Sequence, residues 1–132
     1  MPAASLPVAG HWSEQVARVD PPADRWSVRL RQDPGMVIVL GSFDLDPAER
    51  EHFLEGAQAH ATASRGDAGC AEFTVAADST DAGRVVYVER WRTAADLAAD
   101  AAASTARSLP ANPVAARRSD FGVYEAGEPR PL

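Results

Sequence analysis

The sequence predicts an α+β domain of ferredoxin-like β-α-β-β-α-β order. Three observations predict it. Arg65–Trp91 reads as two strands joined by a polar turn. A capped helical pattern lies on each side of that hairpin. Strand patterns then open and close the whole run. At 132 residues the chain is expected to form one domain.

Residues 1–34 form an N-terminal extension and hold half of the ten prolines, together with Trp12 and Trp26. Proline density predicts an extended arm, and the tryptophans predict that part of it is anchored on the domain or on a partner subunit. Trp26, Val28 and Leu30 alternate with Ser27 and Arg29 in a short strand pattern. A disordered leader is the alternative. The domain itself is expected over 35–127. Asp33-Pro34-Gly35 makes a turn, and Met36–Phe43 is a first strand, apolar on both faces at its start and therefore central. Asp46 stands at an N-cap position with Pro47 at the first helical position, which predicts a helix from about Pro47 to Ser64. Ala48, Phe53, Leu54, Ala57, Ala61 and Ser64 recur at helical spacing, and Gly66 and Gly69 end the element. Cys70–Ala77 and Arg84–Trp91 are the hairpin strands around the turn Asp78–Gly83. Val85, Tyr87, Glu89 and Trp91 share one face of the second of these. Thr93 can cap an alanine-rich helix running to about Ala106. Pro110 and Pro113 bound a loop, Val114–Glu125 is the last strand, and 128–132 form a loose tail. Two helices on one face of a four-stranded sheet leave its other face bare. That face is apolar too, so a second copy of the chain is the simplest cover.

Composition narrows the function. A net charge of −6 argues against nucleic acid as a partner. No basic amphipathic helix points to a membrane surface, and the longest apolar run, Met36–Leu40, is too short to cross one. No signal peptide is visible, so a cytoplasmic protein is expected. All 13 basic residues are arginine, which excludes lysine Schiff-base chemistry and lysine-bound pyridoxal phosphate. One cysteine, Cys70, allows neither an internal disulfide nor a cysteine metal cluster. Phosphate loops, dinucleotide fingerprints, serine nucleophile elbows and His-x-x-x-His pairs are absent from the sequence. No metal site is expected.

The corner Ser64-Arg65…Gly69-Cys70, the long polar hairpin, and Tyr87-Val-Glu89-Arg-Trp91 before a threonine-capped helix resemble the antibiotic biosynthesis monooxygenase family over roughly residues 35–126. The resemblance implies a dimeric α+β barrel. It implies a cofactor-independent monooxygenase, in which an electron-rich phenolic polyketide or quinol-type substrate activates dioxygen directly. Relatives include quinol oxygenases and heme-degrading enzymes, so the resemblance implies fold more strongly than activity. In one respect the sequence departs from the family. Members often carry a histidine nine residues after the tryptophan, where this chain has Asp100, and the departure argues against heme.

The candidate catalytic residues are therefore Trp91, His60 and Asp100, with Tyr87, Phe53, Phe73, Glu89 and Phe121 as candidate substrate-binding residues. Trp91 borders the cavity in relatives; the alternative is a core indole closing the strand end. Glu89 is either ion-paired with an arginine or exposed at the sheet end. His60, at the edge of the apolar stripe, is a candidate general base or a boundary histidine at the helix C-terminus. Asp100 can accept a phenolic proton or be a solvated helix residue, and Asp96 one turn earlier suggests an acidic outer face. Phe53, Phe73, Tyr87 and Phe121 are core aromatics unless the sheet–helix space is open. The small residues Gly56, Ala57, Ala98, Ala99 and Ala102 would leave room for a flat ligand. The expected partners are a small aromatic substrate, dioxygen and a second copy of the chain, with no cofactor. Non-oxidative cyclisation or dehydration in the same pocket, and a non-catalytic accessory binding module, are the alternatives.

Overall fold

The computed structural model describes residues 35–132, so the expected arm over 1–34 and its Trp26–Leu30 strand pattern lie outside the described residues. Strand β1 spans Met36–Asp44, helix α1 Arg50–Arg65, β2 Cys70–Ala77, β3 Arg84–Trp91, α2 Ala94–Ala106 and β4 Arg117–Ala126. The sheet is antiparallel throughout, in the order β2-β3-β1-β4. β1 is central, as its apolar start predicts. Both expected helix starts have a physical cap. Asp46 accepts a hydrogen bond from the Ala48 amide at 2.9 Å, and Thr93 accepts one from the Asp96 amide at 3.0 Å. The first turn after Asp46, Pro47–Glu49, is a 3₁₀ turn that passes into α1 at Arg50. Arg50 then fastens the hairpin to the helix: its Nη1 donates to the carbonyls of Asp78 at 3.0 Å and Asp81 at 2.9 Å.

The last strand begins later than its sequence suggests. Val114 and Ala116 are buried, but they precede the first β4 pairing at Arg117. Asn112 organises the connection to β4. Its Oδ1 accepts from the Val114 amide at 3.0 Å, while its Nδ2 donates to the Phe53 carbonyl at 2.8 Å. The backbone here is tied to a side chain and to α1 instead of to a neighbouring strand.

Two bulges aim the edge strands. In β2 an extra residue stands at Ala71, between the pairs Cys70–Trp91 and Glu72–Arg90. In β4 the pairs Leu40–Gly122 and Ser42–Ser119 enclose another, and Asp120 adopts a φ of 56°. The second bulge lays Phe121 over Gly41, where a Cβ would meet the ring at 2.4 Å.

The core lies between one sheet face and the helices. Val37, Val39 and Phe43 of β1 and Val85, Tyr87, Glu89 and Trp91 of β3 point into it, opposite Phe53 and Ala57 of α1 and Ala94 and Leu97 of α2. On the far face Ile38, Leu40, Val86, Val88 and Tyr124 stand in neighbouring register rows. Leu40 is 41% and Tyr124 52% exposed there. Among the described residues no helix is long and apolar enough to cross a membrane.

Candidate active site

β3 alternates so that Tyr87, Glu89 and Trp91 lie on one face, and all three are fully buried. Glu89 is not exposed at the sheet end. Its Oε1 accepts the Trp91 indole N–H at 2.7 Å, and its Oε2 accepts the Tyr87 hydroxyl. Two neutral donors on the same strand thus bracket a carboxylate away from water, and hydrogen bonds of this kind offset part of the cost of burying charge.

The strand pairing brings two further residues alongside. Cys70 is opposite Trp91, and Phe73 is opposite Glu89. From above, α2 contributes Asp100, which is 1% exposed. Asp100 therefore faces the sheet and does not belong to an acidic outer face. Arg107 Nη1 stands 3.9 Å from its Oδ1, while the same guanidinium is paired with Asp67. The Cys70 thiol registers this surrounding: burial first, then the charges of Asp100 and Glu89, push its pKa up to about 11. Trp91, Glu89, Asp100 and Cys70 thus form one group at the Gly69 corner. There Gly69, at φ +83°, accepts the Arg92 amide at 2.9 Å.

The aromatic candidates form a second group. Phe73 and Tyr87 have ring centroids 5.5 Å apart, Tyr87 and Phe121 5.2 Å, Phe43 and Phe121 5.2 Å, and Phe43 and Phe53 5.1 Å. These edge-to-face and tilted contacts fill the sheet–helix space. Ala98, Ala99 and Ala102 are exposed and do not face the aromatics; Ala94 and Ala101 do the packing. His60 is buried on α1, inside the stripe and not at its edge. Its Nε2 is 3.0 Å from the Pro110 carbonyl, a tie between α1 and the α2–β4 connection.

Open space lies beside this core. A cleft of about 350 Å³ is lined by Arg65 and Cys70–Thr74. A second, of about 180 Å³, runs along α1 past Leu54, Ala61 and Val75 and also ends at Arg65. In the sequence Cys70 stands out only as the single cysteine, and both it and Arg65 only as parts of the Ser64-Arg65…Gly69-Cys70 corner. The edge position of β2, which exposes them, depends on strand order and carries no local signal. Among the described residues no group of three or more His, Cys, Asp or Glu is placed to hold a metal ion.

The sequence profile described as antibiotic biosynthesis monooxygenase matches residues 36–106, more than half of the chain. The chain belongs to the antibiotic biosynthesis monooxygenase family. Solved structures agree in fold. A conserved protein of unknown function from Bacteroides thetaiotaomicron, described as a possible oxidoreductase, superposes with a TM-score of 0.61 at 21% identity, over 70% of this chain and 99% of that one. A Chloroflexus aurantiacus protein, provisionally named an antibiotic biosynthesis monooxygenase, gives 0.58 at 18% identity, over 74% and 98%. A Nitrosomonas europaea protein with the same provisional name gives 0.58 at 21%, over 71% and 92%. No curated protein matches the sequence. In this member of the family Asp100, nine residues after Trp91, is buried.

Proposed function

We propose that the protein is a monooxygenase that oxidises a phenolic aromatic polyketide or quinol-type intermediate with dioxygen and without a prosthetic group. The observation that carries this reading is the pair of buried carboxylates, Glu89 and Asp100, gathered around Trp91 and Cys70 in a domain of this family. Burial favours the protonated form of a carboxylate, so a carboxylate held away from water is a better proton acceptor than a solvated one.

Asp100 is the proposed base. It takes the proton of the substrate's phenol or of the acidic carbon conjugated to it. The resulting anion passes one electron to dioxygen, and the radical pair joins as a carbon-bound peroxide. The peroxide takes back the proton held by Asp100, and removal of the second hydrogen from that carbon as a proton, again to Asp100, breaks the O–O bond. One oxygen atom stays as a carbonyl and the other leaves as water, which takes up the proton held by Asp100. Glu89 fixes the Trp91 ring as a wall of the site. The indole N–H and the Tyr87 hydroxyl are both directed at Glu89, so their contribution is to hold that carboxylate in place. Phe73 is buried behind the cleft against Tyr87, and with Phe53 and Phe121 it holds Tyr87 and Phe43 in place as the support of the site. His60 holds the Pro110 connection over α1. A second copy of the chain covers the far sheet face through Ile38, Leu40, Val86, Val88 and Tyr124.

The test is oxygen uptake by metal- and flavin-free protein given an anthrone-type phenol. Turnover without oxygen uptake would assign the same carboxylates to a non-oxidative cyclisation or dehydration.

A further inference from the structure

Arg65 stands where the two clefts meet. It sits at the last position of α1, which brings its side chain to the free edge of β2. Its Nε donates to the Phe73 carbonyl at 2.8 Å. That bond orients the planar guanidinium and leaves its two terminal nitrogens for another acceptor. Four other arginines are matched to carboxylates: Arg84 to Asp78 at 2.7 Å, Arg90 to Glu72 at 3.0 Å, Arg107 to Asp67, and Arg117 to Asp44 at 3.4 Å. Arg65 forms no ion pair among the described residues.

Among the other polar groups of the larger cleft, Glu72 feels the Arg65 charge, but as the smallest of the influences on its carboxyl. Glu72 is held by Arg90 Nε and by the Thr74 hydroxyl at 3.1 Å. The Arg90 hydrogen bond, ahead of the others, holds its carboxyl below the usual range, so its charge is matched. Cys70 keeps its proton. Ala71 and Cys70 supply a small apolar wall, and behind it lie Phe73, Glu89 and Trp91, all fully buried. The cleft thus offers one oriented cation and one small apolar wall. At about 350 Å³ it is near the lower end of the range for small-molecule sites, a size suited to two or three fused rings.

We propose that Arg65 is the docking residue for a carboxylate carried by the aromatic substrate, so that the substrate is an aromatic acid. The inference deepens the oxygenase reading and rests on it for the word substrate. The guanidinium binds the carboxylate through its terminal nitrogens, and the ring lies against Cys70 and Ala71 of the cleft wall.

The test measures binding by calorimetry on the full chain, with hydroxynaphthoic acid and its methyl ester as probes. The acid should bind about tenfold more tightly than the ester, the effect of a charge-assisted hydrogen-bonded contact. Arg65→Gln should bring the ratio to about one, leaving ester affinity unchanged, and Arg65→Lys should retain several-fold preference. Should Arg65→Gln fail to fold, the salt dependence of the wild type decides. Acid binding weakens as salt screens the pair, while ester binding holds. Equal binding of acid and ester by the wild type, or a preference that survives Arg65→Gln or is insensitive to salt, overturns the proposal. Oxygen uptake separates it from the oxygenase reading. An intact acid preference without uptake overturns the chemistry alone, and uptake that is equal with acid and ester overturns the Arg65 assignment alone.

Discussion

The indole N–H of Trp91 is donated to Glu89 Oε1 at 2.7 Å, between two residues of one strand that are both fully buried. Trp91 is thus oriented by the glutamate two residues before it, and the Tyr87 hydroxyl completes the arrangement on the other carboxylate oxygen.

Glu89→Gln should therefore destabilise the fold. The amide keeps one acceptor for Trp91 but turns its NH₂ toward Tyr87, whose oxygen can accept while its hydroxyl hydrogen loses its acceptor in the core. A loss of about 2 kcal/mol is expected, read by urea denaturation followed through tryptophan fluorescence. A loss below about 0.5 kcal/mol, the scale of an ordinary surface substitution, would show that the carboxylate is not held as described.

Cys70 reports on the carboxylates from the other side of the register. Burial, then Asp100 and Glu89, move its pKa from 9.0 to about 11. At pH 8 its alkylation by iodoacetamide should be roughly a hundredfold slower than that of a free thiol, and Asp100→Asn should speed it several-fold. The sign of the linked stability follows. The folded state holds the thiol proton more tightly than the unfolded state, so this contribution is complete below pH 9.0 and is lost as pH rises toward 11. Alkylation of the folded protein at the free-thiol rate would contradict the placement. The chain has a single cysteine, so the assay is unambiguous.

Gly69→Ala tests the corner that joins α1 to the site. A methyl group would enter at a φ of +83° and meet Asp96 Oδ2 at 2.1 Å. The two effects together should cost about 2 kcal/mol or more. Because the Asp96 Cβ would itself stand 2.6 Å from the new methyl, adding Asp96→Gly, compared with Asp96→Gly alone, should relieve the clash and leave the backbone strain of about 1 kcal/mol. Full recovery in the double variant would mean that the left-handed backbone is not required.

Leu40→Glu places a charge in the middle of the far sheet face, beside Val88 and Gly122 in register. If a second copy covers that face, the wild type should have a dimeric mass by light scattering at micromolar concentration and the variant a monomeric one. A monomeric wild type removes the dimer from the account.

Elements with local chemistry were legible in the sequence. Asp46–Pro47 and Thr93 announce helices by capping, and strict alternation defines β3 residue for residue. The start of β4 was not legible, because Val114 and Ala116 are buried in a connection held by Asn112, and burial alone reads like a strand. Nor were the bulges at Ala71 and near Asp120, which depend on the partner strand. Within the site, Glu89, Trp91 and Tyr87 could be placed on one face, but not bonded to each other. Asp100 was obscured because the alanines around it carry no polarity contrast. Its spacing of three from Leu97, with Ala94 and Ala101 also buried, was the available signal. His60 had a similar signal, since it follows Phe53 and Ala57 at helical spacing.

The central claim is that the buried carboxylates around Trp91 support direct oxygenation of a phenolic substrate. It is tested most directly with an oxygen electrode, using the full chain stripped of metals and flavin and supplied with an anthrone-type phenol. The account predicts uptake of one dioxygen per substrate consumed, with a carbonyl product and water. It also predicts a fall of roughly a hundredfold or more in Asp100→Asn, the scale of a lost general base, in a variant that remains folded. Absence of uptake above the spontaneous rate, or uptake that persists unchanged in Asp100→Asn, would contradict it.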